Sequence, residues 1–280
     1  MAVVLTENAY GKSRVRLTKV MRHPDRHELI EWNVALRLEG DFLPAYIEGD
    51  NRQVVATDTM KNTVYVLAHE HPATSPEEFA VHLADHFLNR YAQVTTADIH
   101  VEEQGWQRMT VKGQPHSHAF QGQGPAVRTA HAVFSRTERR LFGGIERLLV
   151  LKTTDSAFKD FHRDEFRTLP DVDDRIMATE MSAIWTYATS RPEHIYDQVV
   201  SQLLETFANH RSLGVQQTLY AMGEAALNNC PAIDEIRLTM PNRHRIPFNL
   251  TPFGRDNANQ VFVATDEPFG LITGTLRREG

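Results

Sequence analysis

Glu28-Leu29-Ile30-Glu31-Trp32-Asn33-Val34-Ala35-Leu36-Arg37-Leu38-Glu39 alternates apolar and polar residues along its length. Ile30, Trp32, Val34, Leu36 and Leu38 fall on one side, and Glu31, Asn33, Arg37 and Glu39 on the other. That is the period of a half-buried strand. The stretch before it, residues 13–21, sets Arg14, Arg16 and Thr18 opposite Val15 and Leu17. Between the two lies His23-Pro24-Asp25-Arg26, whose residue types suit a turn, so the pair reads as a β-hairpin.

Moving outward, Ser75-Pro76-Glu77-Glu78 offers an N-cap serine, proline at the first helical position and glutamate at the third. Phe79, Leu83, Phe87 and Tyr91 then recur every four residues, which predicts a helix running to about residue 92 with one buried face. Strands are expected around 97–103 and 106–112. Strand-like stretches near 129–136 and 144–152 restart the pattern. Ser190-Arg191-Pro192-Glu193 repeats the serine-to-glutamate spacing ahead of Ile195, Val199, Leu203 and Phe207. A further helix over 215–228 precedes strands at 233–240 and 259–264. Strands come in adjacent pairs and do not alternate singly with helices, so the class is α+β, built by duplication. The units are expected at residues 1–128 and 129–280. Duplicated sheets leave edges open, which invites lateral assembly.

The 280 residues suit two compact units, and 41% hydrophobic with 24% charged residues is an ordinary globular composition. With 30 Lys and Arg against 36 Asp and Glu, the net charge of −6 argues against a nucleic-acid partner. One cysteine, Cys230, excludes an intrachain disulfide framework and reads as a small core residue. Met1-Ala2-Val3-Val4-Leu5 turns polar at Thr6, too soon for a signal peptide, and no stretch is apolar enough to span a membrane. A cytoplasmic protein with no membrane partner is expected.

Fourteen histidines raise the question of a metal. His82 and His86 stand at i, i+4, but Leu83 follows His82 where the H-E-x-x-H pattern needs glutamate. His69 with His71, and His116 with His118, share a side only if their segments are strands. Ordinary surface or half-buried histidines explain all of these better, and no metal site is expected. Gly122-Gln123-Gly124-Pro125 lacks the strand-then-helix setting of a phosphate loop and reads as a plain loop. Arg136-Thr137-Glu138-Arg139-Arg140 reads as a solvated hairpin turn.

Three segments place reactive groups at strand ends. Tyr10-Gly11-Lys12 puts an ammonium at the lip of the first strand. Ala56-Thr57-Asp58 puts a hydroxyl and a carboxylate where a helix starts, which a simple N-cap would also explain. Pro241-Asn242-Arg243-His244 ends a strand with an amide and an imidazole two residues apart.

Taken with Lys61-Asn62-Thr63, Leu151-Lys152-Thr153-Thr154, Phe158, Arg163-Asp164-Glu165-Phe166, Asp174-Arg175-Ile176 and Gly214-Val215-Gln216, these segments resemble the urate oxidase (uricase) family nearly end to end. The resemblance implies tandem tunnelling-fold (T-fold) domains, with antiparallel sheets and helices on one face, assembled into a tunnel-forming homotetramer. It implies oxidation of urate by O2 and water to 5-hydroxyisourate and hydrogen peroxide, with no metal and no organic cofactor. By the same resemblance Phe158 stacks on the purine, while Arg175, Gln216 and the backbone of Val215 hold its edges. Lys12, Thr57 and His244 relay protons, and Asn242 holds oxygen and then water above the ring. Thr57 and Asp58 would reach the site from an adjacent subunit. Lys159-Asp160 after Phe158, and Arg245 after His244, depart from the aromatic neighbours of eukaryotic members. The C-terminal Leu276-Arg277-Arg278-Glu279-Gly280 lacks a Ser-Lys-Leu peroxisomal address, which favours a cytoplasmic, bacterial-type enzyme. Two other readings share the pocket chemistry: another T-fold enzyme that acts on a pterin or purine by hydrolysis or rearrangement, with a histidine/cysteine zinc site or a different base, and a silent ligand-binding homologue.

Overall fold

The computed structural model describes residues 2–190 and 194–279. It divides into two compact units, Met1–Gly144 with Thr186–His194, and Ile145–Trp185 with Ile195–Gly280. The division falls inside a strand; the sequence pattern restarts earlier, at 128/129.

In the first unit, β1 (Tyr10–Arg22) and β2 (His27–Gly40) form the expected antiparallel hairpin, with Leu17 opposite Trp32 and Arg22 opposite His27. The turn closes through a His23 N–H to Arg26 C=O bond of 2.9 Å. Trp32, Val34, Leu36 and Leu38 are buried, as their spacing requires. Two helices, α1 (Leu43–Ile47) and α2 (Thr57–Glu70), lead to α3 (Pro76–Arg90). Both halves of the capping box form: Ser75 Oγ accepts from Glu78 N–H, and the Glu78 carboxylate accepts from Ser75 N–H. Phe79, Leu83 and Phe87 are fully buried, and Phe79 stacks on Trp32 with centroids 4.8 Å apart. Each such burial contributes about 1.5–3 kcal/mol, which is what holds helix to sheet. Glu77, also in the first turn, is 1% exposed and ion-pairs with Arg128 at 2.7 Å.

Three expectations for this unit need correction. Residues 97–103 and 106–112 are not separate strands but parts of β3 (Val94–Val111), with a bulge between Gln104 and Trp106 absorbing the break in pattern. The Gly122-Gln123-Gly124-Pro125 stretch is not a loop. It belongs to β4 (Gln114–Ser135), where Gly122 pairs with Trp106 and His116 and His118 also lie on the strand. Extended backbone is open to glycine, and a long antiparallel partner supplies the ladder that local propensity could not foretell. Nor is Arg136 simply solvated. Its guanidinium donates to the carbonyls of Leu88, Tyr91, Ala92 and Val94, closing the end of α3.

β5 (Arg139–Lys152) carries the chain into the second unit, followed by β6 (Met177–Tyr187), α4 (Tyr196–Asn209), α5 (Val215–Asn229), β7 (Ile233–Pro241), β8 (His244–Pro247), β9 (Phe262–Thr265) and β10 (Leu271–Arg277). Its sheet runs β5-β6-β7-β10, and β8-β9 form a separate ribbon. The helix expected from Ser190 begins instead at Tyr196 with no side-chain cap, and Arg191, Pro192 and Glu193 lie outside the described residues. Val199, Leu203 and Phe207 are nonetheless buried as expected. Cys230 is a buried free thiol at the end of α5. Close packing of α5 on β10 depends on two glycines. A Cβ at Gly223 would stand 2.8 Å from a Leu276 methyl, and one at Gly274 2.7 Å from a Leu219 methyl.

Candidate active site

In the second unit three short segments lie side by side and carry the aromatic and cationic candidates. Phe158 N–H donates to Val172 C=O at 2.8 Å, and Val172 N–H returns a bond to Phe158 C=O at 3.0 Å. Two residues along, Arg175 N–H donates to Ser156 C=O at 2.7 Å. On the other flank, Ala157 N–H donates to Ser212 C=O at 2.8 Å and Ser212 N–H to Asp155 C=O at 2.9 Å. Residues 155–158 are therefore the middle of a three-chain ribbon, and each edge delivers a functional group.

From one edge, the Arg175 guanidinium lies over the Phe158 ring, 5.0 Å from its centroid. It is half-buried, burial pulls its pKa below the ordinary arginine value, and no carboxylate pairs with it among the described residues. From the other edge the chain turns at Gly214 into α5, whose first two residues are Val215 and Gln216. A Cβ placed on Gly214 would lie 3.5 Å from Gln216 Oε1 and 3.8 Å from the Phe158 ring, so the amide and the phenyl flank one point. No side chain caps α5. The first N–H groups of a helix have no intrahelical partner, so those of Val215 and Gln216 add donors beside the guanidinium. A flat apolar face, a two-pronged cation, an amide and a helix N-terminus together suit a planar anionic heterocycle.

Asn242 and His244 sit at the end of β7 and the start of β8. Asn242 N–H donates to Gly270 C=O and Arg243 N–H to Ala178 C=O, both at 2.8 Å, and the Arg243 guanidinium pairs with Glu180 at 3.0 Å and Asp266 at 3.3 Å. The turn is thus pinned on both sides, and it leaves Asn242 Nδ2 3.5 Å from His244 Nδ1. This is more than an ordinary turn, because its backbone serves to present those two polar groups together.

The first unit holds the remaining candidates. An added Cβ on Gly11 would fall 1.9 Å from Leu36 C=O, so only glycine lets β1 lie here beside β2. A bulge follows between Lys12 and Val15, with Arg14 at φ 58°. Tyr10 Oη accepts from Val55 N–H at 2.8 Å, tying the lip of β1 to the chain that enters α2. Lys12, half-buried, is close enough to Asp58 to help hold that carboxyl below its usual range, though Lys61, bonded at 2.5 Å, does so more. The N-cap reading of Thr57 does not hold. Ala56 is the cap residue, Thr57 is the first residue of the helix, and no side chain caps α2. The Thr57 hydroxyl has no hydrogen-bond partner among the described residues and is half-buried near Lys12's strand.

His71 and His82 stack with centroids 3.9 Å apart, and burial pushes the His82 pKa down. Among the described residues no group of three or more His, Cys, Asp or Glu could hold a metal ion, and no helix is long and apolar enough to cross a membrane.

The uricase family model matches residues 8–133 and 141–273. The chain belongs to the uricase family. It is 45% identical over 280 residues to the uricase of Arthrobacter globiformis, covering 99% of this chain and 91% of that one. It is 40% identical over 295 residues to uricase-2 of Phaseolus vulgaris, covering 97% and 95%. The crystal structure of the Arthrobacter globiformis uricase superposes with a TM-score of 0.94 at 44% identity, across 100% of this chain and 96% of that chain. The antiparallel α+β architecture is thus the architecture of uricase structures.

The two departures of this family member are accounted for locally. Lys159 ion-pairs with Asp173 across the 158–172 ribbon, and Arg245 donates to the carbonyls of Arg243 and His244. Both brace the backbone beside site residues. Motif reading also left Asp174 without a role; its carboxylate gathers the hydroxyl of Thr154 and the N–H of Ser156.

Proposed function

We propose that this enzyme oxidises urate with O2 and water to 5-hydroxyisourate and hydrogen peroxide. The observation that carries the reading is the half-buried Arg175 guanidinium over Phe158, without a carboxylate partner among the described residues, beside Gln216 and the open N-terminus of α5. Urate is planar and already an anion near neutral pH. It would supply the charge that Arg175 lacks, and its alternating carbonyl and N–H edge matches an amide that both donates and accepts.

Oxidation is easier from the urate dianion, so a second proton must leave. The Thr57 hydroxyl takes that proton as it passes its own to the Lys12 amine, and His244 completes the relay. Asn242 holds oxygen, then the peroxide and the attacking water, above the ring. Two electrons pass from the purine to O2, which leaves as hydrogen peroxide, and the oxygen of water ends on the ring. No metal or organic cofactor takes part.

Lys12, Thr57 and Asp58 stand in one unit, and Phe158, Arg175, Val215, Gln216, Asn242 and His244 in the other. We read the complete site as shared between chains of a homotetramer, with Thr57 and Asp58 supplied by an adjacent subunit. Each chain would be two T-fold copies, 1–128 and 129–280, acting in the cytoplasm with no nucleic-acid or membrane partner.

Following the ultraviolet absorbance of urate tests the reading. Oxygen-dependent loss is expected. Urate that persists under oxygen overturns it, and binding without loss would identify a silent homologue instead.

A further inference from the structure

The ribbon that carries Phe158 and Arg175 turns sharply where it begins. Asp155 has φ 58°, in the left-handed region, which costs a non-glycine residue free energy and which aspartate tolerates best in tight turns. Both neighbours of Asp155 are held by one group. Asp174 Oδ2 accepts from Thr154 Oγ1 at 2.7 Å, and Asp174 Oδ1 accepts from Ser156 N–H at 3.2 Å. The N–H groups of Arg175 and Asp155 also lie close enough to favour the ionised carboxyl, which stands below its usual range, chiefly through the Thr154 hydroxyl. Ser156 in turn offers the carbonyl to which Arg175 N–H donates. The Asp174 carboxylate and the Arg175 backbone N–H therefore act on the same short loop from two directions.

We infer that Asp174 is a positioning residue for the urate-binding arginine. Its carboxylate locks residues 154–156 in the strained turn that sets both the Ser156 carbonyl and the Phe158 ring, and so fixes where the Arg175 fork points. Asp174 makes no ion pair with Arg175, which leaves the guanidinium free for an anion. This inference rests on the functional reading above. It adds a second requirement to the Asp174-Arg175 pair: one member binds and the other aims.

The test is steady-state kinetics on the whole enzyme, with xanthine, an unreactive planar purine, as the binding probe. Asp174→Ala is expected to raise both the KM for urate and the Kd for xanthine by about tenfold, since misaiming a bidentate contact weakens binding, while kcat at saturation stays within about threefold. Thr154→Val removes one of the two bonds and should raise KM by a smaller factor, about threefold. Adding it to Asp174→Ala should change nothing further, because both act through one contact. Asp174→Asn keeps an acceptor for Ser156 and the size of the side chain, and should restore most of the affinity. If Asp174→Ala does not fold, Thr154→Val and Asp174→Asn still decide the matter. Unchanged KM and Kd in every folded variant, or a fall in kcat with KM unmoved, overturns the inference. A wild-type enzyme that leaves urate untouched would refute the functional reading instead, whereas an active enzyme with Asp174 dispensable refutes only the clamp.

Discussion

Replacing Arg175 by methionine separates binding from folding. In the free protein the guanidinium is half-buried, touches the Phe158 face at 5.0 Å and has no carboxylate partner among the described residues. Hydrogen bonds from a charged donor contribute about 1.5–3 kcal/mol each when they are made to a ligand. With water partly filling in for the lost fork, Arg175→Met should weaken urate or xanthine binding by about 3 kcal/mol, roughly a hundredfold. Stability should move the other way or not at all. Methionine fills similar space, stays in contact with the ring and removes an unpaired cation from a poorly solvated place. Because the site is partly open, the gain is about 0–1 kcal/mol, a rise of at most about 4 °C in Tm for a chain of this size. Calorimetric titration with xanthine and a thermal melt read the two effects on one sample. Retained affinity, or a Tm lowered by several degrees, would show that the arginine is a structural group and refute the anion-site reasoning.

Lys12→Met should lower turnover by about 10²-fold or more while xanthine still binds, because the proposed relay gives the lysine a proton to move and not the purine to hold; unchanged turnover removes it from the relay. Mixing Thr57→Ala with Arg175→Met, each nearly inactive, and refolding them together should restore activity if sites are shared between chains, and mixtures no better than either parent speak against sharing. Gly11→Ala must push Leu36 C=O from a 1.9 Å approach, so β1 loses its register and the melt should show a loss of about 3 kcal/mol. In acid, Asp98 gives a signed prediction. Burial pushes its carboxyl up, but His131 at 2.7 Å and Arg37 at 3.1 Å outweigh that and leave its pKa lowered. Its stabilisation is therefore present above the unfolded carboxylate value of about 4 and is lost as pH falls through the lower folded value. Asp98→Asn should flatten acid unfolding in that window, and an unchanged acid transition contradicts the assignment.

Where the fold was legible, the pattern was local. The 28–39 alternation and the box at Ser75 each need only a dozen residues, and both elements formed with the expected faces buried. The misread stretches were settled by distant partners. Gly122 and Gly124 look like loop residues until β3 supplies a ladder, and the gap at Gln104 to Trp106 becomes a bulge only when β4 is opposite. Met177–Tyr187 buries Met177, Thr179, Met181, Ala183 and Trp185 alternately, but small residues such as Ala178 and Ser182 between them weaken the contrast a periodicity search needs. At the site, motifs named the side chains but not their arrangement. The pairing of residues 155–158 with 172–175 and with Ser212 is non-local, so neither the stacking of Arg175 on Phe158 nor the grip of Asp174 on Thr154 and Ser156 could be read from spacing.

The central claim is that side chains alone carry a two-electron oxidation to O2. The most direct measurement follows urate, dissolved oxygen and peroxide together in enzyme stripped of metals by chelation. One O2 consumed and one hydrogen peroxide formed per urate lost, at an undiminished rate, is the result expected. Activity that vanishes on chelation and returns only with added metal, or oxygen consumed without peroxide, would contradict it.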